Sequence, residues 1–388
     1  GASEIPPDEL DAFEVLKAKL VATEEVFYFS PSQENQKTYL DLKIEYEQLI
    51  DTWEVKYPEY YALKYSSSIP ALKKIQENLS TSKSGLIEYF ITESELFVFV
   101  VQKSGVLGKK IKLTVDLESL IQQFRLKGIS DVQNNSAAYV EILRELYGVL
   151  IQPIEQDLEG LDRLVIVPSG VLHYISFESL VLSSSGTDYR QLSYLIQDYT
   201  IFYSWSGALF QTKISQTSKP TLDYVGFAPS FTETSNSESL RSGLTNLPFA
   251  QTEIETAAQF FSGESNIGEQ ASKSTFREEA PKGAVLHLAS HAILNNENPL
   301  KSGIYFSGNE FLTAREIYNL NLSAELAVIS ACNTGLGELS LGEGALSLGR
   351  AFTYAGCQAV IMNLWLANDE SSAEIISTFY AYLKKGES

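Results

Sequence analysis

Two apolar runs that each end in a reactive side chain constrain the fold of this 388-residue chain more than any other feature. The first is residues 285–292, VLHLASHA, and the second is residues 326–335, LAVISACNTG. Short apolar runs bounded by turn residues are typical of strands buried in a parallel sheet. Ligands of such sheets bind beyond the carboxyl ends of the strands. We therefore expect His291 and Cys332 to converge at one edge of a sheet.

A histidine beside a cysteine suits nucleophilic catalysis. A free thiol has a pKa of about 8.5, so only a small fraction is thiolate near neutral pH. An adjacent imidazole accepts the thiol proton and later protonates the leaving amine, while backbone N–H groups stabilise the oxyanion. The candidates are His291 as base, Cys332 as nucleophile, and the amides of Ala292 and Cys332 as the oxyanion hole.

The second half of the chain alternates between apolar strand patterns and helix patterns. This alternation predicts a mainly parallel sheet with helices on both faces. The predicted strands are 224–228, 285–290, 303–306, 326–330 and 359–363, and the predicted helices are 250–261, 314–320, 345–355 and 369–382.

The first half combines a helical start with a strand-rich region. Apolar residues recur at helical spacing on both sides of Pro31, which predicts an antiparallel helical arm. From Gly85 onward the period becomes that of strands, and no convincing pair of nucleophile and base occurs in this region. The predicted elements are a short helix at 57–63, a hairpin of 86–90 and 96–101 around 92–95, strands at 109–115 and 164–167, a helix at 140–154 and a polar join at 215–220.

These motifs resemble the CHAT family of caspase-like cysteine peptidases, which is related to caspases and separases. The likeness rests on the strand that ends in His291 and Ala292 and on the strand that ends in SACNTG at 330–335. Many caspase-like enzymes carry glycine after the histidine, whereas this chain has Ala292, which keeps the backbone amide. The likeness covers roughly residues 84–386, and the further similar segments are 164–170 (LVIVPSG), 176–180 (SFESL), 312–317 (LTAREI), 342–344 (GEG) and 350–356 (RAFTYAG).

The resemblance implies an α/β fold with a caspase-like, mainly parallel sheet flanked by helices. By the same resemblance, His291 is the general base and Cys332 the nucleophile of a cysteine endopeptidase that acts through an acyl-enzyme. It also implies three regions, which are a helical arm at 1–80 compatible with the end of a TPR-like region, a pseudo-caspase-like α/β half at 84–215 and an active peptidase half at 221–388.

The resemblance also implies a regulated bacterial protease that cleaves a protein substrate and requires no cofactor. Such proteases are often coupled to an upstream TPR or sensor module and to a protein activator, and some act in antiviral defence or gasdermin processing. Residues 1–3, GAS, look like a cloning remnant, so we expect the natural protein to extend upstream. Family members also usually continue beyond the final helix.

Composition narrows the classes of function. The 49 acidic and 29 basic residues give a formal net charge of −20, which argues against direct nucleic-acid binding. The acidity either favours a basic protein substrate or is an ordinary solvated surface. Only two cysteines are present, which excludes a disulfide framework and fits a reducing compartment, so we expect the cytoplasm. No apolar stretch approaches the roughly 20 residues that span a bilayer, and no secretory signal pattern occurs.

The glycine-rich segment 335–344, GLGELSLGEG, follows the candidate nucleophile. It lacks the Lys-Ser/Thr pair of a phosphate-binding loop, so we interpret it as a substrate loop. Within it, Glu338 and Glu343 are candidates for binding a basic substrate side chain, although Glu343 also suits capping of the next helix. Because glycine permits several backbone conformations, such a loop predicts an enzyme that is latent until it is activated.

The remaining cysteine and a neighbouring histidine have structural interpretations. His287 lies four residues before His291 and shares its face of a strand, but too few further ligands lie nearby for a zinc site. We therefore expect no metal. Cys357 lies between a predicted helix and a predicted strand, where we expect inert packing.

Two other functions remain open. A catalytically silent CHAT-fold scaffold would bind partners through the helical arm, although the intact dyad argues against it. A thiol hydrolase or acyltransferase would act on a small molecule, for which the sequence reveals no pocket. Cleavage of peptides separates both from an endopeptidase.

Overall fold

The computed structural model describes the chain as two compact units. One unit spans Gly1–Ile69 and the other spans Pro70–Ser388. None of the described helices combines the length and the apolar composition that a bilayer span needs. The described residues are 7–29, 32–56, 72–130, 137–182, 186–211, 219–231, 246–295, 299–333, 347–363 and 369–386.

The first unit is a hairpin of two long helices, α1 (Pro7–Phe29) and α2 (Gln33–Lys56). The Lys56 ammonium lies 2.6 Å from the Glu9 carboxylate, so the end of α2 lies beside the start of α1. The two helices are therefore antiparallel. Phe13 is fully buried against Trp53, with 4.6 Å between ring centroids, and these two aromatic rings form the centre of the hairpin.

The second unit begins with helix α3 (Leu72–Asn78) and a five-stranded sheet. The strand order is β3-β2-β1-β4-β5, in which β1, β2 and β3 are antiparallel and β4 and β5 run parallel to β1. Helices α4 and α5 cover one face, and α3 and α6 cover the other. The bounds are β1 (Ser84–Ile91), β2 (Glu95–Gln102), β3 (Gly105–Lys112), β4 (Arg163–Val167), β5 (Thr200–Tyr203), α4 (Leu117–Ser130), α5 (Ala137–Leu150) and α6 (Gly207–Gln211).

A second, seven-stranded sheet follows. Its main body is parallel, in the order β7-β6-β8-β11-β12, and a short antiparallel ribbon of β9 and β10 extends from the carboxyl end of β8. The predicted α/β fold class, a mainly parallel sheet flanked by helices, is confirmed. The strands are β6 (Leu222–Pro229), β7 (Gly263–Gly268), β8 (Gly283–Ile293), β9 (Gly303–Tyr305), β10 (Phe311–Thr313), β11 (Leu326–Asn333) and β12 (Ala359–Met362).

Helices cover both faces of this second sheet. Helices α7 and α11 pack on one face, and α8, α9 and α10 pack on the other. Burial on both faces explains why β8 and β11 read as continuous apolar runs rather than as alternating patterns. The helices are α7 (Ala250–Ala257), α8 (Lys273–Glu279), α9 (Ala314–Tyr318), α10 (Ser347–Ala355) and α11 (Asp369–Lys385).

The two sheets meet at Trp205, just after β5. The Arg350 guanidinium of α10 lies 5.3 Å from the centre of the Trp205 ring. A Cβ atom on Gly349 would lie 3.4 Å from the same ring and 2.9 Å from the Met362 sulfur of β12. The lack of a side chain at Gly349 therefore lets the indole pack closely against the second half.

Sequence reasoning located most central elements but missed several peripheral ones. Helix α4, strand β7 and helix α8 were not predicted, and the strand expected at 109–115 lies at Gly105–Lys112. Strand β3 is an edge strand with two glycines and three lysines, so its apolar alternation is weak. The helix predicted at 57–63 lies outside the described residues, as does most of the polar join at 215–220.

The motif LTAREI at 312–317 owes its structure to Glu316. The Glu316 carboxylate accepts hydrogen bonds from the backbone N–H and the hydroxyl of Thr313, which begins α9 with a capping box. It also lies 2.7 Å from the Lys273 ammonium and 2.6 Å from the Arg277 guanidinium of α8. One side chain thus connects α8, β10 and α9.

We expect Glu316→Gln to lower the free energy of unfolding by about 1–3 kcal/mol at neutral pH, because the charged hydrogen bonds are lost. Burial by itself raises the pKa of Glu316, but bonds from Lys273 and Thr313 outweigh burial and hold the pKa below its ordinary value. The stabilisation is therefore present above the ordinary carboxyl pKa and is lost as pH falls through the lower folded pKa. Urea unfolding of both proteins should show a difference that shrinks in acid, and a pH-independent difference would refute this origin.

Candidate active site

Strands β8 and β11 place the histidine and the cysteine next to each other. The two strands are parallel and in register over eight residue pairs, from Val285 opposite Leu326 to Ala292 opposite Asn333. Within this register His291 lies directly opposite Cys332. Neighbouring strands are about 4.8 Å apart, so the two backbone positions are adjacent at the carboxyl edge of the sheet.

An aromatic ring packs against the imidazole of His291. Phe231 follows the carboxyl end of β6, and its ring centroid lies 4.9 Å from that of His291 at an interplanar angle of 54°. The backbone N–H of Phe231 donates to the Asn246 side-chain oxygen at 2.7 Å. His291 is only 5% exposed as a result of its strand position and this cover. Sequence reasoning missed Phe231, although its place two residues beyond a buried strand at the same edge was a usable signal.

The end of β11 has a strand neighbour on only one side in the part of the chain that the structure describes. Its pairing with β12 ends at Ile329 opposite Met362, whereas its pairing with β8 continues to Asn333. Ala292 differs, because it is in register with Asn333 on one side and with Ile304 of β9 on the other. The two expected oxyanion donors therefore have different surroundings in the sheet.

A second polar cluster lies under the edge, and sequence reasoning missed two of its three members. The Glu253 carboxylate of α7 is 2.9 Å from Nε2 of His287 and accepts a hydrogen bond from the Ser330 hydroxyl at 3.1 Å. A glutamate between the buried residues Ala250 and Ile254 of a helix was the available signal. His287 thus contacts a carboxylate, and no group of three or more potential metal ligands occurs among the described residues.

The expected substrate loop belongs to a segment outside the described residues. Residues 334–346, which include Glu338 and Glu343, lie outside the described residues. Their role in binding a basic side chain stays a prediction.

Cys357 is fully buried at the start of the loop that leads into β12. Burial raises the pKa of its thiol from 9.0 to about 12. At neutral pH we therefore expect iodoacetamide to modify Cys332 and to leave Cys357 intact while the protein is folded, because the thiolate is the reactive form. Peptide mapping by mass spectrometry checks this, and rapid modification of Cys357 in folded protein would contradict it.

Comparison with protein families adds an independent observation. The family model described as CHAT domain matches residues 140–388, which is well over half of the chain. The chain belongs to the CHAT domain family. The match begins within α5 and includes β4, β5 and the whole second sheet, so the CHAT domain contains both His291 and Cys332.

The CHAT domain is a caspase-like peptidase family, and the family assignment made from motifs is confirmed. Comparison with curated proteins gives no match. The family model leaves β1, β2 and β3 outside, whereas the resemblance seen in the sequence covers roughly residues 84–386.

Proposed function

We propose that this protein is a cysteine endopeptidase that cleaves a protein substrate through Cys332 and His291. The observation that carries the proposal is the register of β8 and β11, which sets these two positions side by side within a CHAT domain. They lie at the carboxyl edge of a parallel sheet, where such sheets bind ligands.

The reaction follows from the two side chains. The Cys332 thiol gives its proton to His291, and the thiolate attacks the scissile carbonyl carbon to form a C–S bond. The C–N bond then breaks as the imidazolium returns the proton to the leaving amine, which leaves a thioester. Water deprotonated by His291 hydrolyses the thioester and restores the thiol.

Two backbone amides are proposed to stabilise the tetrahedral oxyanions. They are those of Cys332 and Ala292, the donors expected from the sequence. An oxyanion donor must point at the developing charge rather than at a strand neighbour. In the described structure β12 does not extend beside the last residues of β11. The backbone N–H of Cys332 is therefore the better placed of the two oxyanion donors.

The substrate is proposed to be a protein with basic side chains near the cleaved bond. The net charge of −20 supports this choice by attracting cationic segments. Glu338 and Glu343 are the proposed local contacts, and an upstream TPR or sensor module or a protein activator is the proposed regulator. The buried state of His291 supports regulation, since a general base must reach its substrate.

Burial of His291 also favours a second candidate, a catalytically silent CHAT-fold scaffold. One assay tests the endopeptidase directly. A diverse peptide library is incubated with the parent protein and with Cys332→Ala and His291→Ala, and the cuts are read by mass spectrometry. Cuts made by the parent and lost in both variants support the endopeptidase and reveal the preferred side chain. Cuts that persist in both variants refute it, and an absence of cuts is the result expected both of a latent enzyme that needs its activator and of the scaffold.

A further inference from the structure

One buried carboxylate connects the two strands that carry the dyad. Glu253 is 3% exposed, and its two carboxylate oxygens contact different strands. Oε1 lies 2.9 Å from Nε2 of His287 on β8, and Oε2 lies 3.1 Å from the hydroxyl of Ser330 on β11. A charged group this deep in a core requires a specific set of partners, because burial of an unpaired charge is costly.

The cluster lies deeper in the sheet than the dyad positions but on the same face. His287 precedes His291 by four residues, and Ser330 precedes Cys332 by two, so the strand period of two assigns all four positions to one face. In the register, His287 is opposite Val328, and Ser330 is opposite Ala289. Glu253 therefore bridges His287 of β8 and Ser330 of β11, the same two strands that carry His291 and Cys332.

Aromatic residues enclose the bridge. The rings of Tyr224 and Tyr380 lie 6.4 and 5.5 Å from the His287 ring, centroid to centroid. Burial raises the pKa of both phenols, and the nearby Glu253 carboxylate adds to the effect. Both tyrosines are therefore neutral and do not compensate the charge of Glu253. The Glu253 carboxylate contacts the sheet through His287 and Ser330.

The tautomer of His287 follows from its surroundings. Its Nδ1 atom is buried and has no hydrogen-bond partner among the described residues. A buried N–H without an acceptor is rarer and costlier than an unused acceptor, so the hydrogen-bond geometry favours the tautomer with its hydrogen on Nε2. In that tautomer Nε2 donates to Glu253, which then accepts from both strands.

The bridge holds the part of β11 that is otherwise least supported. Pairing of β11 with β12 ends at Ile329 in the described structure, and Ser330 is the next residue. From there to Asn333 the described neighbour of β11 is β8 alone. The hydrogen bond from Ser330 to Glu253 anchors the start of this segment to α7, two residues before the candidate nucleophile.

We propose that Glu253, His287 and Ser330 form a positioning network that keeps Cys332 directly opposite His291 in the strand register. This inference rests on the proposed function and adds residues to its machinery. The three residues act through the dyad and do not contact substrate. Because a displacement of about 1 Å between reacting groups costs a factor on the order of 10², a loosened β11 end lowers the rate of chemistry more than it lowers substrate binding.

Ser330→Ala and Val328→Ala form a matched pair that tests the network. Both residues lie on β11 at positions of the same face, but of the two side chains only the Ser330 hydroxyl can hydrogen-bond to Glu253. We expect Ser330→Ala to lower kcat by about tenfold or more with little change in KM. Val328 is fully buried, so Val328→Ala lowers stability at least as much, yet it should keep kcat near that of the parent.

Two replacements of Glu253 distinguish the loss of its hydrogen bonds to His287 and Ser330 from a change in the packing of its side chain. In Glu253→Gln the amide oxygen still accepts from His287, and the amide nitrogen donates to the Ser330 hydroxyl, so kcat should be largely retained. Glu253→Ala breaks both contacts and should lose kcat as Ser330→Ala does. If Glu253→Ala does not fold, the comparison of Ser330→Ala with Val328→Ala tests the network without it. Equal losses of kcat in those two variants, or no loss in Ser330→Ala, would overturn the network.

The alkylation rate of Cys332 by iodoacetamide at neutral pH gives a readout that needs no substrate. If His291→Ala leaves this rate unchanged, the proposed dyad itself fails. If His291→Ala lowers the rate but Ser330→Ala matches the parent, only the network fails. The proposal predicts that both variants lower the rate and that Val328→Ala does not.

Discussion

Replacing Cys332 with alanine is expected to abolish peptide cleavage, with kcat lowered by a factor on the order of 10⁴ or more. Without the sulfur no thioester forms, and water must attack the amide directly. His291→Ala is expected to lower kcat by a factor on the order of 10³ or more, because the thiol then stays protonated and the leaving amine receives no proton. Initial rates on the best peptide from the library measure both effects.

The chain supplies matched controls for these two variants. Cys357→Ala replaces the other cysteine, which lies in the core, and His173→Ala replaces a histidine of the first half whose Nδ1 is 2.9 Å from the Gly170 carbonyl oxygen. Both controls should retain cleavage. Retention of cleavage by Cys332→Ala within about tenfold of the parent would show that another group is the nucleophile.

Gly356→Ala is expected to lower the free energy of unfolding by about 3 kcal/mol or more. Gly356 joins α10 to β12 with a φ of 118°, which side chains rarely tolerate. A Cβ atom there would lie 2.2 Å from the carbonyl oxygen of Leu322. Leu322 donates its own N–H to the Ala355 carbonyl at 2.7 Å, so relief of the clash disturbs the approach to β11.

Gly160→Ala is the matched control for this substitution. Gly160 also has a positive φ, of 80°, but a Cβ atom there meets nothing within 4 Å. We expect it to cost only about 1 kcal/mol. Urea unfolding of the three proteins compares the costs, and equal values for the two glycines would contradict the steric argument about Leu322.

The positions of the two catalytic candidates could be predicted because the strands that carry them are buried on both faces. Continuous apolar runs such as VLHLASHA identify central parallel strands, and a strand that ends in a polar residue identifies the functional edge. The sequence also predicted the helices that follow these strands. Helix α7 ends at Ala257 rather than at residue 261, an error at a boundary rather than in the element.

The register could not be predicted. Periodicity assigns a residue to a face of its own strand, but it does not say which residue of the next strand lies opposite. The pairing of His291 with Cys332 therefore required the structure. Strand β7, GESNIG, was missed because its polar residues give no apolar alternation at an edge of the sheet.

The role of Glu253 was hidden for a different reason. A charged residue in a helix pattern is ordinarily assigned to the solvent face, because charges are rarely buried unless they are paired. Its partners, His287 and Ser330, are distant in sequence and become neighbours only when α7 packs on the sheet. His287 carries a visible signal as a histidine on an apolar strand, but that signal alone does not identify Glu253 as its hydrogen-bond partner.

The most direct test of the dyad is the pH dependence of Cys332 alkylation in the parent and in His291→Ala, read by mass spectrometry of the Cys332 peptide. The rate follows the thiolate fraction, so it reports the proton affinity of the thiol itself. The proposed dyad predicts that Cys332 of the parent reacts at a lower pH than an ordinary thiol and that loss of His291 moves its profile to higher pH. Superimposable profiles in the two proteins would contradict a catalytic pairing of Cys332 with His291.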